Sequence, residues 1–116
     1  MPRLHLLFVC GRNLKRSPTA EKIFQDDQRL SVRSVGVSES SKRRIQQGDL
    51  NWADLVLVME SKYGDRIKSK YACAEALPPF YSLDIPDEFE FMDEELIDLL
   101  IPGVEEALLA HLNRST

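Results

Sequence analysis

A chain of 116 residues has room for one hydrophobic core, so a single domain over residues 1–116 is expected. The 43% apolar and 29% charged shares suit a folded globular chain, and a formal net charge of −4 argues against a general nucleic-acid binder. The longest apolar run, Leu4 to Cys10, is too short for a membrane span and has no small-residue cleavage site, so neither a membrane anchor nor an export signal is expected.

Leu4 to Val9 is nearly continuous in apolar residues, the pattern of a strand covered on both faces in a parallel sheet. The loop Cys10–Arg16 follows, and then a helix start with Ser17 as N-cap and Pro18 at the first helical position. Ala20, Ile23 and Phe24 fall on one stripe of that helix. Val32, Ser34 and the valines around Gly36 form a second, weaker strand pattern, and Ser40 to Gln47 reads as a short polar helix ended by Gly48. Leu55 to Met59 is the next buried strand, Ser61 to Tyr71 a helix, and Pro78 to Ile85 contains a fourth strand. Asp93 to Leu112 is helical, with Pro102-Gly103 expected to break or kink it.

Strands alternating with helices imply a three-layer α/β/α domain, and right-handed crossovers make a four-stranded parallel sheet in the order 2-1-3-4 the natural topology. Ligands of such sheets bind beyond the carboxyl ends of the strands, where the order reverses. That crevice lies between the first and third strands, at Cys10.

The loop has a cysteine and an arginine six positions apart, Cys10 and Arg16. A short loop running into a helix start aims several backbone N–H groups at phosphate oxygens, and arginine adds a planar fork that lysine lacks. The helix N-terminus together with Arg12, Lys15 and Arg16 favours an anionic, nucleophilic sulfur at Cys10. Ser17 can donate its hydroxyl to that sulfur. Gly11 and Asn13 suit the positive backbone angles of a tight loop.

The segment Cys10-Gly11-Arg12-Asn13-Leu14-Lys15-Arg16-Ser17-Pro18 resembles the signature of protein tyrosine phosphatases. Its place after the first strand, with Leu-Phe-Val-Cys before it and Arg-Ser-Pro-Thr-Ala-Glu closing it, is similar to the low-molecular-weight family, which also matches Val32–Gly36 and Trp52–Met59. The resemblance implies that fold and metal-free phosphoester hydrolysis through a cysteinyl-phosphate. Cys10 would be the nucleophile, Arg16 the clamp, and residues 11–17 the phosphate cradle. Ser34 would support the loop from behind with Asn13 and Ser17. The expected substrate is a phosphotyrosine protein or a small aryl phosphate, with inorganic phosphate or sulfate also fitting the loop. The C-terminal pattern Asp84-Ile85-Pro86-Asp87 followed by Phe91-Met92-Asp93 is similar to a compact bacterial subgroup.

A leaving phenolate needs a proton donor, and Asp84, Asp87, Glu88 and Asp93 are the carboxylic acids near the last helix. The resemblance implies Asp87 as the acid and Phe89 as an aromatic wall of the substrate cleft, with Glu88 standing where the family has proline. Asp84 reads as a turn residue at a strand end, and Asp93 as a helix N-cap. The chain is short between Gly36 and Asp49, Arg12 replaces a family glycine, and Lys15 stands where many relatives carry a second loop cysteine.

Two cysteines 63 positions apart suit free thiols in a reducing, cytoplasmic setting, and two isolated histidines leave no zinc or iron site, so no cofactor is expected. Cys73 reads as a small hydrophobe, His5 and His111 as packed side chains, Trp52 as a core or docking residue, and Lys42-Arg43-Arg44 as a solvated helix face. Alternative readings are an arsenate reductase, for which the cysteine relay is incomplete, a phosphocysteine carrier, against which Arg16 and Asp87 argue, and a non-catalytic phospholigand-binding domain.

Overall fold

Buried positions concentrate toward the C-terminal end of Leu4–Cys10, which forms the inner strand β1, paired on both edges. The structure is a computed structural model that describes residues 3–71 and 77–114. The remaining elements are α1 (Arg16–Phe24), β2 (Leu30–Gly36), α2 (Gln47–Trp52), β3 (Leu55–Val58), α3 (Ser61–Lys70), β4 (Phe80–Ser82) and α4 (Glu94–Arg114). The strands form one parallel sheet in the order β2-β1-β3-β4, with helices around it, as the alternating pattern implied.

Register sets the geometry of the carboxyl edge. Cys10 is level with Gly36 of β2, and Val9 with Val58 of β3. Helix α1 packs against α4 as well as β1 and β2, while α3 lies on β3 and β4. Phe8 and Phe24 stack at 6.1 Å between ring centroids, joining β1 to α1. Leu96, Leu100, Val104, Ala107 and Leu108 form the buried stripe of α4, at the spacing a helix needs to turn one face inward.

Three local expectations are corrected. Helix α1 begins at Arg16 with Lys15 as its N-cap, so Ser17 is not the cap. Pro18 is then the third helical residue, still in the turn where an N–H has no intrahelical acceptor. Residues 40–46 are not helical. Their backbone bonds across to the loop and strand instead, through Lys42 N–H to the Arg12 carbonyl (3.0 Å), Gly36 N–H to the Arg43 carbonyl (2.8 Å) and Ile45 N–H to the Gly36 carbonyl (2.9 Å). The helix comes later: Gln46 caps α2 in a reciprocal box with Asp49, and Gly48 lies inside it. Finally, α4 continues as one helix through the exposed Pro102 and is not broken there. Cys73 lies outside the described residues.

Gly36 closes β2 directly behind the loop. A Cβ there would sit 2.9 Å from the Arg12 carbonyl carbon and collide with the Ser41 side chain. Gly36→Ala should therefore lower stability by about 1–3 kcal/mol, because the collision includes backbone. Gly48→Ala, with nothing within 4 Å of the new atom, should raise it by about 0.5–1 kcal/mol. Urea unfolding of both variants checks the contrast, and equal midpoints would mean the close approach does not constrain the loop.

Candidate active site

The chain leaves β1 at Cys10 and turns through residues 11–15 into α1. Successive carbonyls of this turn point outward: Cys10 accepts from Val37 N–H (3.1 Å), Gly11 from Ser38 N–H (2.9 Å), and Arg12 from Lys42 N–H (3.0 Å). In a trans peptide the next N–H points the opposite way, so the amides of residues 11–13 face away from the 37–42 segment, as an anion-binding nest requires. Asn13 supplies the one reversed residue, at φ 56°. Gly11 does not have positive φ, contrary to expectation. Its lack of a side chain serves the close approach of Tyr63, whose hydroxyl oxygen would be 3.2 Å from a Cβ there.

Behind the loop runs a directed chain of hydrogen bonds. The Asn13 amide donates both protons, one to Ser17 Oγ and one to Ser34 Oγ, each at 3.0 Å. Ser34 in turn donates to Glu21 Oε1 at 2.5 Å. Because Ser17 accepts from Asn13, its own proton is free for the Cys10 sulfur at 2.8 Å, a closer acceptor than the Val35 carbonyl at 3.4 Å. Asn13, Ser17 and Ser34 are all buried.

Arg16 is only 2% exposed, and its fork is held from one side. Nη1 donates to the Ile85 carbonyl (2.6 Å) and lies 3.2 Å from the Glu60 carboxylate. Nη2 donates to the Tyr63 hydroxyl (2.7 Å). The two hydrogen bonds use one N–H of each Nη, Glu60 adds an ion pair, and Nε–H and the second Nη2 proton remain as a parallel pair. Asp87 Oδ1 stands 3.8 Å from Nε, beyond hydrogen-bond range. Burial opposes the charge on Arg16, but Tyr63, Glu60 and Asp87 more than offset it and hold its pKa above the ordinary value. Burial likewise pushes the Glu60 carboxyl up, yet the neighbouring Tyr63 hydroxyl and Arg16 guanidinium leave it below the usual range. Burial and then Glu60 raise the Tyr63 phenol.

One cavity of about 290 Å³ gathers Cys10, Gly11, Arg12, Leu14, Lys15, Arg16, Tyr63 and Asp87. Asp87, 68% exposed in its side chain, forms the lip. Asn13, Ser17 and Ser34 lie behind this cavity. Phe89 is half-buried against the core and does not line it; the aromatic wall is Tyr63. Asp84 sits in a turn at φ 55°, accepts from Ser82 Oγ (2.6 Å) and faces a different hollow, beside Glu60 and Lys62. Asp93 caps α4 by accepting from Glu95 N–H at 2.9 Å. Lys15 pairs with Glu90 (3.0 Å), and Thr19 Oγ1 accepts from Met92 N–H (2.9 Å), tying the segment after β4 to the loop. Among the described residues no cluster of three or more His, Cys, Asp or Glu side chains could hold a metal ion, and no helix is long and apolar enough to cross a membrane.

Tyr63, Glu60 and Glu21 were not foreseen. The first two follow the end of β3 and so belong to the strand flanking the same crevice, a signal the sheet order already contained.

This loop and sheet define the fold of the low-molecular-weight protein tyrosine phosphatases. Among solved structures, the YwlE arginine phosphatase from Geobacillus stearothermophilus is similar over 97% of both chains, with a TM-score of 0.69 and 24% identity. SP-PTP, a low molecular weight protein tyrosine phosphatase from Streptococcus pyogenes, matches over 92% of both chains, with a TM-score of 0.75 and 19% identity. The tyrosine phosphatase Wzb from Escherichia coli K30, solved in complex with phosphate, matches over 90% of this chain and 96% of its own, with a TM-score of 0.65 and 18% identity. No sequence-family model matches the chain, and comparison with curated proteins finds no match.

The free edge of Arg16 leads to a binding prediction. In a Cys10→Ser background, orthophosphate measured by calorimetry should bind about 10- to 100-fold more weakly after Arg16→Lys, since a point charge cannot supply two parallel donors. Unchanged affinity would remove Arg16 as the oxyanion clamp.

Proposed function

We propose that the protein is a cysteine-dependent phosphomonoester hydrolase acting on phosphotyrosine or small aryl phosphates. The observation that carries this reading is convergence: the Ser17-held sulfur of Cys10, the open edge of Arg16 and the Asp87 carboxyl border one cavity. Neighbouring structures are named as tyrosine and as arginine phosphatases, so the shared loop leaves the leaving group to be settled by the walls. Here Tyr63 and Leu14 offer an aromatic and an aliphatic surface, which suits a planar ring.

In the first step the Cys10 thiolate attacks phosphorus, the bond to the leaving oxygen breaks, and Asp87 gives that oxygen a proton. In the second step water attacks the cysteinyl-phosphate, Asp87 takes the water's proton, and the S–P bond breaks to return thiolate and inorganic phosphate. Arg16 and the loop amides stabilise the equatorial oxygens in both steps, and Ser17 steadies the departing thiolate with a hydrogen bond, keeping its own proton.

The purified protein should hydrolyse p-nitrophenyl phosphate in the presence of a chelator, and Cys10→Ser should abolish turnover. Turnover persisting in Cys10→Ser would overturn the mechanism.

Asp87→Asn should slow phenyl phosphate by about 100-fold or more while slowing a substrate with a strongly acidic leaving phenol much less, because a stable leaving anion needs little protonation. The same change at Asp84 should be mild and indifferent to the leaving group. Equal losses for the two substrates in Asp87→Asn would assign that residue a structural role instead.

A further inference from the structure

A second hollow of about 440 Å³ lies beside the first, and Leu14 lines both. Its walls are Leu14, Pro18 and Phe91, with Lys22, Gln25 and Lys42 around them. Leu14 and Phe91 are 46% and 48% exposed, so an apolar surface is presented directly at the mouth of the phosphate cavity.

The charges are arranged unequally. Lys15 is paired with Glu90 at 3.0 Å, Arg43 with Asp49 at 3.4 Å and Arg44 with Glu39 at 4.0 Å. Lys22 and Lys42 are exposed and have no ion-pair partner among the described residues. One carboxylate, Glu21, also borders the hollow, and it receives the Ser34 hydroxyl. Two free cations therefore face one hydrogen-bonded anion, on a chain whose overall charge is −4. Asp87 is the one carboxylate that lines the neighbouring phosphate cavity, and Glu90 is taken by Lys15.

We propose that this hollow is a specificity subsite for the chain flanking the phosphorylated residue, and that it takes an acidic side chain, with an apolar neighbour resting on Leu14 and Phe91. The inference rests on the phosphatase reading and narrows its substrate to phosphoprotein segments acidic next to the modified residue. Charge complementarity selects that occupant: Lys22 and Lys42, both exposed and unpaired among the described residues, attract a carboxylate. Leu14 connects the two hollows, so one extended segment can occupy both.

The test is a pair of phosphotyrosyl peptides differing only in flanking residues, glutamates in one and lysines in the other, titrated into the Cys10→Ser protein. The glutamate peptide should bind about three- to tenfold more tightly, as two exposed ion pairs allow, and the preference should shrink with added salt. Lys22→Gln with Lys42→Gln should erase the preference while phenyl phosphate turnover in the Cys10-containing protein stays at its original rate. Phe91→Ala should weaken both peptides equally. Equal affinity for the two peptides, a preference that survives the double substitution, or turnover of phenyl phosphate with neither peptide bound would each overturn the subsite. Absence of phenyl phosphate turnover would instead strike the hydrolase reading, and the peptide comparison would still decide the subsite, because it measures binding alone.

Discussion

A guanidinium held at 2% exposure needs partners from the protein, and Arg16 finds them in two separate stretches of chain, residues 60–63 and Ile85. Glu60 follows the end of β3, Tyr63 lies in the first turn of α3, and the Ile85 carbonyl lies beyond β4. The Ile85 amide is itself fixed, donating to the Met59 carbonyl at 2.8 Å. Arg16 thereby binds the end of the loop between β1 and α1 to the other half of the sheet, beside the Lys15–Glu90 pair. Because these partners occupy one edge of the fork, the edge left over has its direction set before any oxyanion arrives. A binding group that is already oriented loses little freedom on binding, which is where much of the advantage of a rigid site lies.

The sulfur is held from the opposite direction. Glu21, Ser34, Asn13 and Ser17 form a line from α1 and β2 to Cys10, in which Asn13 donates to both serines and Ser34 donates to Glu21. A carboxylate at the far end favours the polarity in which hydroxyl protons are drawn toward it from Ser34, leaving the Ser17 proton for sulfur. The Cys10 sulfur and the Arg16 guanidinium thus depend on different flanking strands, β2 for one and β3 with its following helix for the other. That division follows from the strand order, since β1 is the strand at which the chain's direction across the sheet reverses.

The parts legible in the sequence were those that repeat a simple physical pattern. Apolar runs located β1 and β3, alternation of strand and helix implied the order 2-1-3-4, and the Cys10–Arg16 spacing located the loop at the crevice. What escaped was set by partners distant in sequence. Residues 40–46 have the polar composition of a helix surface, but their amides and carbonyls are claimed by Arg12 and Gly36, which no local reading contains. Ser17 has the chemistry of an N-cap, yet its hydroxyl is taken by the site and the helix starts two residues earlier than that cap would set it. Tyr63 looks like any half-polar residue of an amphipathic helix until Arg16 is placed against it.

The shortness of the 37–46 segment has a consequence for what the site can recognise. A chain that returns directly along the outer side of the loop satisfies the loop carbonyls, as the bonds from Val37, Ser38 and Lys42 do. Its backbone is then engaged in supporting the loop, and the side chains left to face substrate are few: Lys42 is the one that reaches the hollow beside Leu14. Shape selection therefore passes to the other elements, with Tyr63 from α3 and Leu14 from the loop itself bordering the phosphate cavity and Phe91 ahead of α4 bordering its neighbour. That neighbouring hollow is open to solvent and is bordered by Pro18 and Lys22 of α1. An open cleft discriminates poorly by excluding shapes, and better by charge placed around its rim, because a rim charge acts over several ångströms without enclosing the ligand. The same segment that supports the loop carbonyls places Lys42 at the hollow that Lys22 of α1 also borders, and the proposed subsite relies on that pair of charges.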